Sequence, residues 1–312
     1  MRLPEHRSHL HPVSLPVGLL VCALIVPAPP AAIVLTRDLS TTQALDVIVR
    51  SCGRQVLDQV HPLLDTRDPV ALHDMRVGIR RLRAALSLLR RPLGDGEKIA
   101  WVSIETRDLA APLGHARDLD VAVRDHGDRL TGSSRRKLLE LREGAYDEAL
   151  AVVGSDRWHD LTAHLDRFLR KIHDDVPVDP PIADAAGEAL DRRFRRVSRR
   201  GALIERSHAP ERHRVRIEAK KLRYGAQFFS TLYAVTPGSD SAAGSAAEDF
   251  THSVAALQDA LGDLRDIQTT RHILDLVGAT PPHIETAPLV ARAVAAHADI
   301  VARGPFWRPP LR

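Results

Sequence analysis

Residues 72–86, LHDMRVGIRRLRAAL, and residues 212–226, RHRVRIEAKKLRYGA, carry one spacing of basic side chains behind a histidine. His73, Arg76, Arg80, Arg81 and Arg83 correspond to His213, Arg216, Lys220, Lys221 and Arg223, each displaced by 213 − 73 = 140 positions. A constant offset between two multi-residue patterns marks an internal duplication. It limits the folds open to the chain, because one basic helix has to be built twice and set each time in a comparable scaffold.

At about 100° per residue, with His73 at zero, Arg76, Arg80 and Arg83 fall near 300°, 340° and 280°, an arc of about 80°. Met75, Ile79, Leu82 and Leu86 cluster between about 180° and 240°, so an apolar stripe lies beside the basic one. The second copy repeats both arcs, with Val215, Ala219, Leu222 and Ala226 as its apolar stripe. Arg81 and Lys221 project elsewhere, near 80°, and are weaker members of any single site. A run of arginines on an amphipathic helix is most often a solvated face. Here the cations border the buried stripe, few carboxylates interleave with them, and the arrangement recurs, which favours a surface built to hold anions.

The 312 residues suffice for one or two cores, and 44% hydrophobic content is ordinary for a globular protein. With a formal charge of only +4, the isoelectric point of about 9.4 does not single out a polyanion ligand, so local clustering carries the argument. Two cysteines, Cys22 and Cys52, supply neither a disulfide framework nor a paired metal motif, and a reduced compartment fits them. Aromatics are 4% of residues, and Tyr224 is nearly alone among the basic stripes as a platform for stacking bases.

Apolar recurrence at three and four residues fills most of the chain, without a convincing alternating β-branched run, so the expected fold is all-α. Proline, glycine and capping signals place helices at 40–61, 69–91, 97–127, 133–153, 156–173, 184–206, 209–233, 245–277 and 285–303. VPVDPP, residues 176–181, cannot continue a helix and forms the joint between halves. Residues 236–249, TPGSDSAAGSAAED, read as a small polar loop. Within the run 191–206, DRRFRRVSRRGALIER, Arg192, Arg193, Arg195, Arg196, Arg199 and Arg200 spread over about 160° of a further helix. It either adjoins the motif helices or is plain solvated surface.

A second repeated signature follows each motif: LGHARDLD, residues 113–120, and LGDLRDIQ, residues 261–268, at an offset of 261 − 113 = 148. Arg117 and Arg265 in these signatures either reach a ligand or pair with the aspartates beside them. Gly114 and Gly262 permit close helix approach or a bend.

H-x-x-R-x-x-x-[RK]-[RK]-x-R in two copies, each followed by L-G-x-x-R-D, resembles the CHAD domain, the conserved histidine α-helical domain, over roughly residues 40–305. The resemblance implies two antiparallel helical bundles related by an internal pseudo-twofold axis, here spanning 37–175 and 182–305. A leader, residues 1–36, and a tail, 306–312, flank them. It further implies a basic groove that binds inorganic polyphosphate without hydrolysing it, with His73, Arg76, Arg80, Arg81, Arg83, Arg117, His213, Arg216, Lys220, Lys221, Arg223 and Arg265 on its surface. No cofactor is expected. The second signature departs from the first, with Gln268 where Asp120 stands.

Polyphosphate offers charge and phosphate oxygens but no bases, so its recognition rests on the donors that this chain repeats. Arginine presents a planar fork to phosphate and lysine a rotatable point charge. The histidines either couple binding to pH or satisfy a neighbouring helix. Nucleic-acid backbone binding is the alternative; a histidine-dependent metal or phosphate-transfer protein is a remoter one. No H-E-x-x-H, Gly-rich phosphate loop or G-x-S-x-G is present, and His159 and His164 are five residues apart, off a shared ligand face. No enzymatic activity is expected. The apolar stretch 15–26, LPVGLLVCALIV, is short for a membrane span and reads as a signal-like or flexible leader, leaving a cytoplasmic polyphosphate-binding module as the expectation.

Overall fold

The computed structural model describes residues 33–94, 97–176, 178–233 and 242–308. Among them the chain forms ten α-helices: α1 (Thr41–Leu57), α2 (Val60–Thr66), α3 (Pro69–Leu89), α4 (Glu97–His126), α5 (Gly132–Val153), α6 (Asp156–Asp175), α7 (Ile182–Gly201), α8 (Ala209–Tyr233), α9 (Ala242–Leu276) and α10 (Ala287–Arg303). No strand occurs among the described residues; the one isolated bridge pairs Ser40 with Pro181. The all-α expectation holds.

Differences from the sequence reading have local causes. The helix expected over 40–61 ends at Leu57, and a new one starts at Val60. Pro62 explains this, because a ring without an N–H fits the first turn of a new helix and not the interior of the old one. The polar loop expected over 236–249 lies outside the described residues up to 241, and from Ala242 onward it is the first two turns of α9. Alanine is the strongest helix former, and the apolar anchor Phe250 is buried just beyond.

The motif helices are central. Met75, Ile79, Leu82 and Leu86 are buried on α3, as are Val215, Ala219, Leu222 and Ala226 on α8, so both apolar stripes face the core as the periodicity requires. α3 packs on α1, α4, α7 and α8, while α8 packs on α7, α9 and α3. One contiguous apolar cluster runs through residues of both halves. The joint at 176–181 is stitched to the start of α1: Thr41 donates from its backbone N–H (3.0 Å) and its hydroxyl (2.7 Å) to the Pro180 carbonyl, and the Ile182 N–H donates to Leu39 O at 3.0 Å.

The chain enters the core before the expected domain start at 37. Ile33 and Leu35 are buried, and Leu35 exchanges two 2.9 Å hydrogen bonds with the Thr231 hydroxyl on α8. The leader's apolar stretch 15–26 lies outside the described residues. At the other end, part of the expected tail is structural. Trp307 is buried against Phe250 and Phe306, and its indole N–H donates to Asp191 at 2.9 Å. Residues 309–312 lie outside the described residues. No described helix is long and apolar enough to cross a membrane.

Candidate functional site

Asp68 caps α3 by accepting from the Val70 N–H at 2.8 Å, with Pro69 at the first helical position. The helix then carries His73, Arg76, Arg80 and Arg83 up the side next to its buried stripe, all half-buried. On α8, His213, Arg216, Lys220 and Arg223 are likewise half-buried.

The two copies converge. Lys220 is depressed to about 7 by burial, then by the nearby positive charges of Arg216 on its own helix and Arg80 and Arg76 on α3, with Asp266 opposing. Arg76 is depressed to about 10 by burial and by Arg80 and Arg117, against Asp118. His73 is pushed down by burial and by Arg117, Arg80 and Arg76; His213 is pushed down by burial and by Arg265, Arg216 and Lys220. Arg117 and Arg265, from the downstream signatures on α4 and α9, therefore face the motif histidines. Arg265 also donates from Nη1 to His213 Nδ1 at 3.2 Å. Since arginine stays protonated, this leaves Nε2 as the N–H of neutral His213.

Ion pairing distinguishes these half-buried cations from many of the protein's other arginines. Elsewhere arginines find carboxylates readily, as Arg67 does with Glu143 (2.9 Å) and Asp147 (2.6 Å), and Arg157 with Glu105 (2.7 Å). Among the described residues, none of Arg76, Arg80, Arg81, Arg83, Arg216, Lys220, Lys221 and Arg223 has a carboxylate oxygen within 4.0 Å. The Nε atoms of Arg80, Arg81, Arg216 and Arg223 are buried without a hydrogen-bond partner. Buried donors are rarely left so.

The signature glycines acquire a role that the sequence left between approach and bend. A Cβ on Gly114 would stand 2.7 Å from Arg76 Nη1, and one on Gly262 3.3 Å from Arg216 Nη2. Each glycine on the downstream helix thus makes room for the guanidinium of a motif helix.

Not every motif residue joins the cluster. Arg81 lies over the Phe228 ring, 5.5 Å from its centroid, beside Cys52. Burial pushes that free thiol up to about 11, which makes it unreactive. Cys22 lies outside the described residues. Lys221 points toward α7, where Arg193 and Arg196 lower it together with burial and Arg83. Arg83 is also lowered by burial and by Arg107 of α4.

The α7 arginine run adjoins the motif helices instead of facing away from them. Arg193 is buried and donates to Glu218 on α8 at 2.9 Å and to the Ser87 carbonyl and hydroxyl on α3 at 3.0 and 2.9 Å. Sequence reasoning missed this tie; Glu218, an acid among the cations of α8, was its one signal. It also left the Asp120/Gln268 difference open. Asp120 is buried, accepting from Arg142 Nε and the Tyr146 hydroxyl, both at 2.8 Å, whereas Gln268 is exposed. Arg117 stands 3.9 Å from Asp120, too far for a strong bond. Among the described residues no group of histidines, cysteines and acids could hold a metal ion.

Fold and site define an all-α protein that gathers cations from two helices of repeated sequence and leaves them without carboxylate partners among the described residues. The chain belongs to the CHAD domain family, whose profile matches residues 47–275. The CHAD domain of the plant Ricinus communis has the same fold, with a TM-score of 0.66 and 24% identity over 89% of this chain and 91% of that one. Uncharacterized proteins from two strains of Mycobacterium tuberculosis, CDC 1551 / Oshkosh and ATCC 25618 / H37Rv, are 27% identical over 253 residues. The match takes in 71% of this chain but 44% of those proteins, so the chain spans less than half the length of these relatives.

Proposed function

We propose that the chain binds inorganic polyphosphate on the cationic surface between α3 and α8, as a non-catalytic targeting or scaffold module in the cytoplasm. The observation that carries this reading is that, among the described residues, the eight motif cations have no carboxylate within 4.0 Å and four buried arginine Nε donors have no hydrogen-bond partner. Carboxylates neutralise more exposed arginines such as Arg67 and Arg157, whereas among the described residues these half-buried cations have none. A flexible, base-free polyanion supplies many oxygens to such donors and needs no stacking aromatics.

The reading is tested by measuring polyphosphate affinity against salt for wild type and the Arg76→Ala/Arg216→Ala double variant. Each lost phosphate contact lowers the slope of log affinity on log salt by about 0.7, so the variant should lose about 1.4 in slope as well as affinity. Equal binding by the two proteins would remove the motif helices from the site. Short polyphosphate should also displace single-stranded DNA or RNA; failure to do so would favour a nucleic-acid backbone as the ligand.

A further inference from the structure

Beside the motif cluster, where the end of α3 meets α7, lie two adjoining cavities of about 370 and 520 Å³. Arg91, Arg192 and Arg196 line both. The inner one is completed by Ser87, Arg193 and Lys221 among others, and the outer one by Arg195 and Arg199, so that among the described residues the outer wall is lined by arginine. Lys221 of the second motif lines the inner cavity, and Arg83 of the first motif is among the charges near it, so the cleft lies next to the motif residues.

Part of this charge is already satisfied. Glu218 holds Arg193 at 2.9 Å and stands 3.5 Å from Arg196, and Glu188 reaches Arg192 at 3.2 Å. The outer cavity keeps an excess, because Arg91, Arg195 and Arg199 have no carboxylate within 4.0 Å among the described residues. Burial, with Arg91 and Arg193 nearby, holds the Arg192 guanidinium below its ordinary value despite Glu188. Arg192 to Arg199 covers about 10 Å along α7, longer than a single phosphate needs and suited to several in a row. Anions entering between the guanidinium groups relieve the repulsion that Glu188 and Glu218 leave.

We propose that this arginine cleft is a second subsite for the same phosphate chain, engaging the stretch that leaves the α3/α8 surface past Lys221. The inference rests on the polyphosphate reading and adds to it a length dependence: chains long enough to reach α7 bind more tightly than chains filling the motif surface alone.

The test compares short and long polyphosphate on the full chain, using wild type, Arg91→Gln/Arg196→Gln/Arg199→Gln, and Arg80→Ala/Lys220→Ala. All three arginines of the triple variant are exposed, so the fold should persist, and equal melting temperatures check it. Arg195→Gln/Arg199→Gln, which touches no ion pair with Glu218, serves as the second variant. The triple variant should lose about tenfold or more in long-chain affinity and about 2 in salt slope, with short-chain affinity within twofold of wild type. The motif variant should weaken both lengths. Equal loss for both lengths, or no loss for either, would overturn the second subsite while leaving the motif surface as the ligand site. Binding of neither length by wild type would overturn the proposed function itself. Loss of single-stranded DNA binding without loss of long polyphosphate would reassign the cleft to nucleic acid.

Discussion

Lys220 should make polyphosphate binding fall steeply as pH rises from 7 to 9. Burial and the charges of Arg216, Arg80 and Arg76 bring the ammonium down to about 7 against an ordinary 10.5, with Asp266 the opposing carboxylate. Binding a polyanion favours the charged form and returns the group toward its ordinary value. If the return is complete, the free protein at pH 9 must take up a proton that about 99% of molecules lack, against about half at pH 7. Affinity then drops by about 50-fold across that window. His73 and His213 are both pushed below their ordinary value by burial and by the neighbouring cations, and Lys220→Arg separates the lysine's share of the slope from theirs. Fluorescence titration with long-chain polyphosphate at constant ionic strength reads the effect. Lys220→Arg stays charged throughout and should flatten the curve, while Lys220→Met should start weaker at pH 7, with the gap to wild type narrowing as pH rises and closing only above the lysine's ordinary 10.5. Without ligand the sign reverses: between pH 7 and 10 the unfolded chain holds a proton that the native lysine has lost, so thermal stability should gain from this group as pH rises. A wild-type affinity that is flat over pH 7–9, or Lys220→Arg keeping the wild-type slope, would refute the placement of Lys220 among the cations.

Other substitutions probe the scaffold. Gly114→Ala puts a methyl group 2.7 Å from the Arg76 guanidinium and should weaken polyphosphate binding severalfold with little change in melting temperature, while Gly262→Ala, at 3.3 Å, should do less; equal effects would separate the glycines from the arginines. Arg193→Ala leaves Glu218 buried without its 2.9 Å partner and should cost about 3–5 kcal/mol in denaturant unfolding, most of it recovered in Arg193→Met/Glu218→Met. Gly201→Ala would bring a Cβ to 2.0 Å from His297 Cδ2, forcing the ring off the Ser198 carbonyl that it now meets at 3.0 Å. The expected loss is about 1–3 kcal/mol by calorimetry.

The helical class, the helix positions and the buried stripes of α3 and α8 were legible because each follows from periodicity, which is a local property. Residues 242–244 read as loop, outside the helix expected from 245, for the opposite reason: glycine and serine among alanines look like a breaker until Phe250 is seen anchored in the core. The convergence of His73, Arg76 and Arg80 with Arg216 and Lys220 required knowing that α3 packs on α8, and no spacing within either motif says so. The positions of Arg81 and Lys221 were half legible. Their angle already set them apart, but only the neighbouring helices show that one lies on Phe228 and the other opens toward α7.

The two halves keep the same basic helix and hold it by different means, and this difference favours the arginine cleft beside α7. Gly78 and Glu218 are duplicate positions, 218 − 78 = 140. At Gly78 the helices α1 and α3 approach so closely that a Cβ would stand 2.7 Å from Val56 Cγ2, leaving no space for a charged side chain. At Glu218 the contact between α8 and α7 is an ion pair, and Arg193 extends from it to Ser87 on α3. A helix attached through a buried arginine can carry further arginines on the turns beside it, since Glu218 also faces Arg196. α1 has only Arg50 and Arg54 over a comparable stretch, and Arg50 is taken by Asp46 at 2.9 Å. The duplicated motif therefore supplies the common surface, while the exchange of a glycine contact for a glutamate contact allows cations to accumulate beyond it on α7.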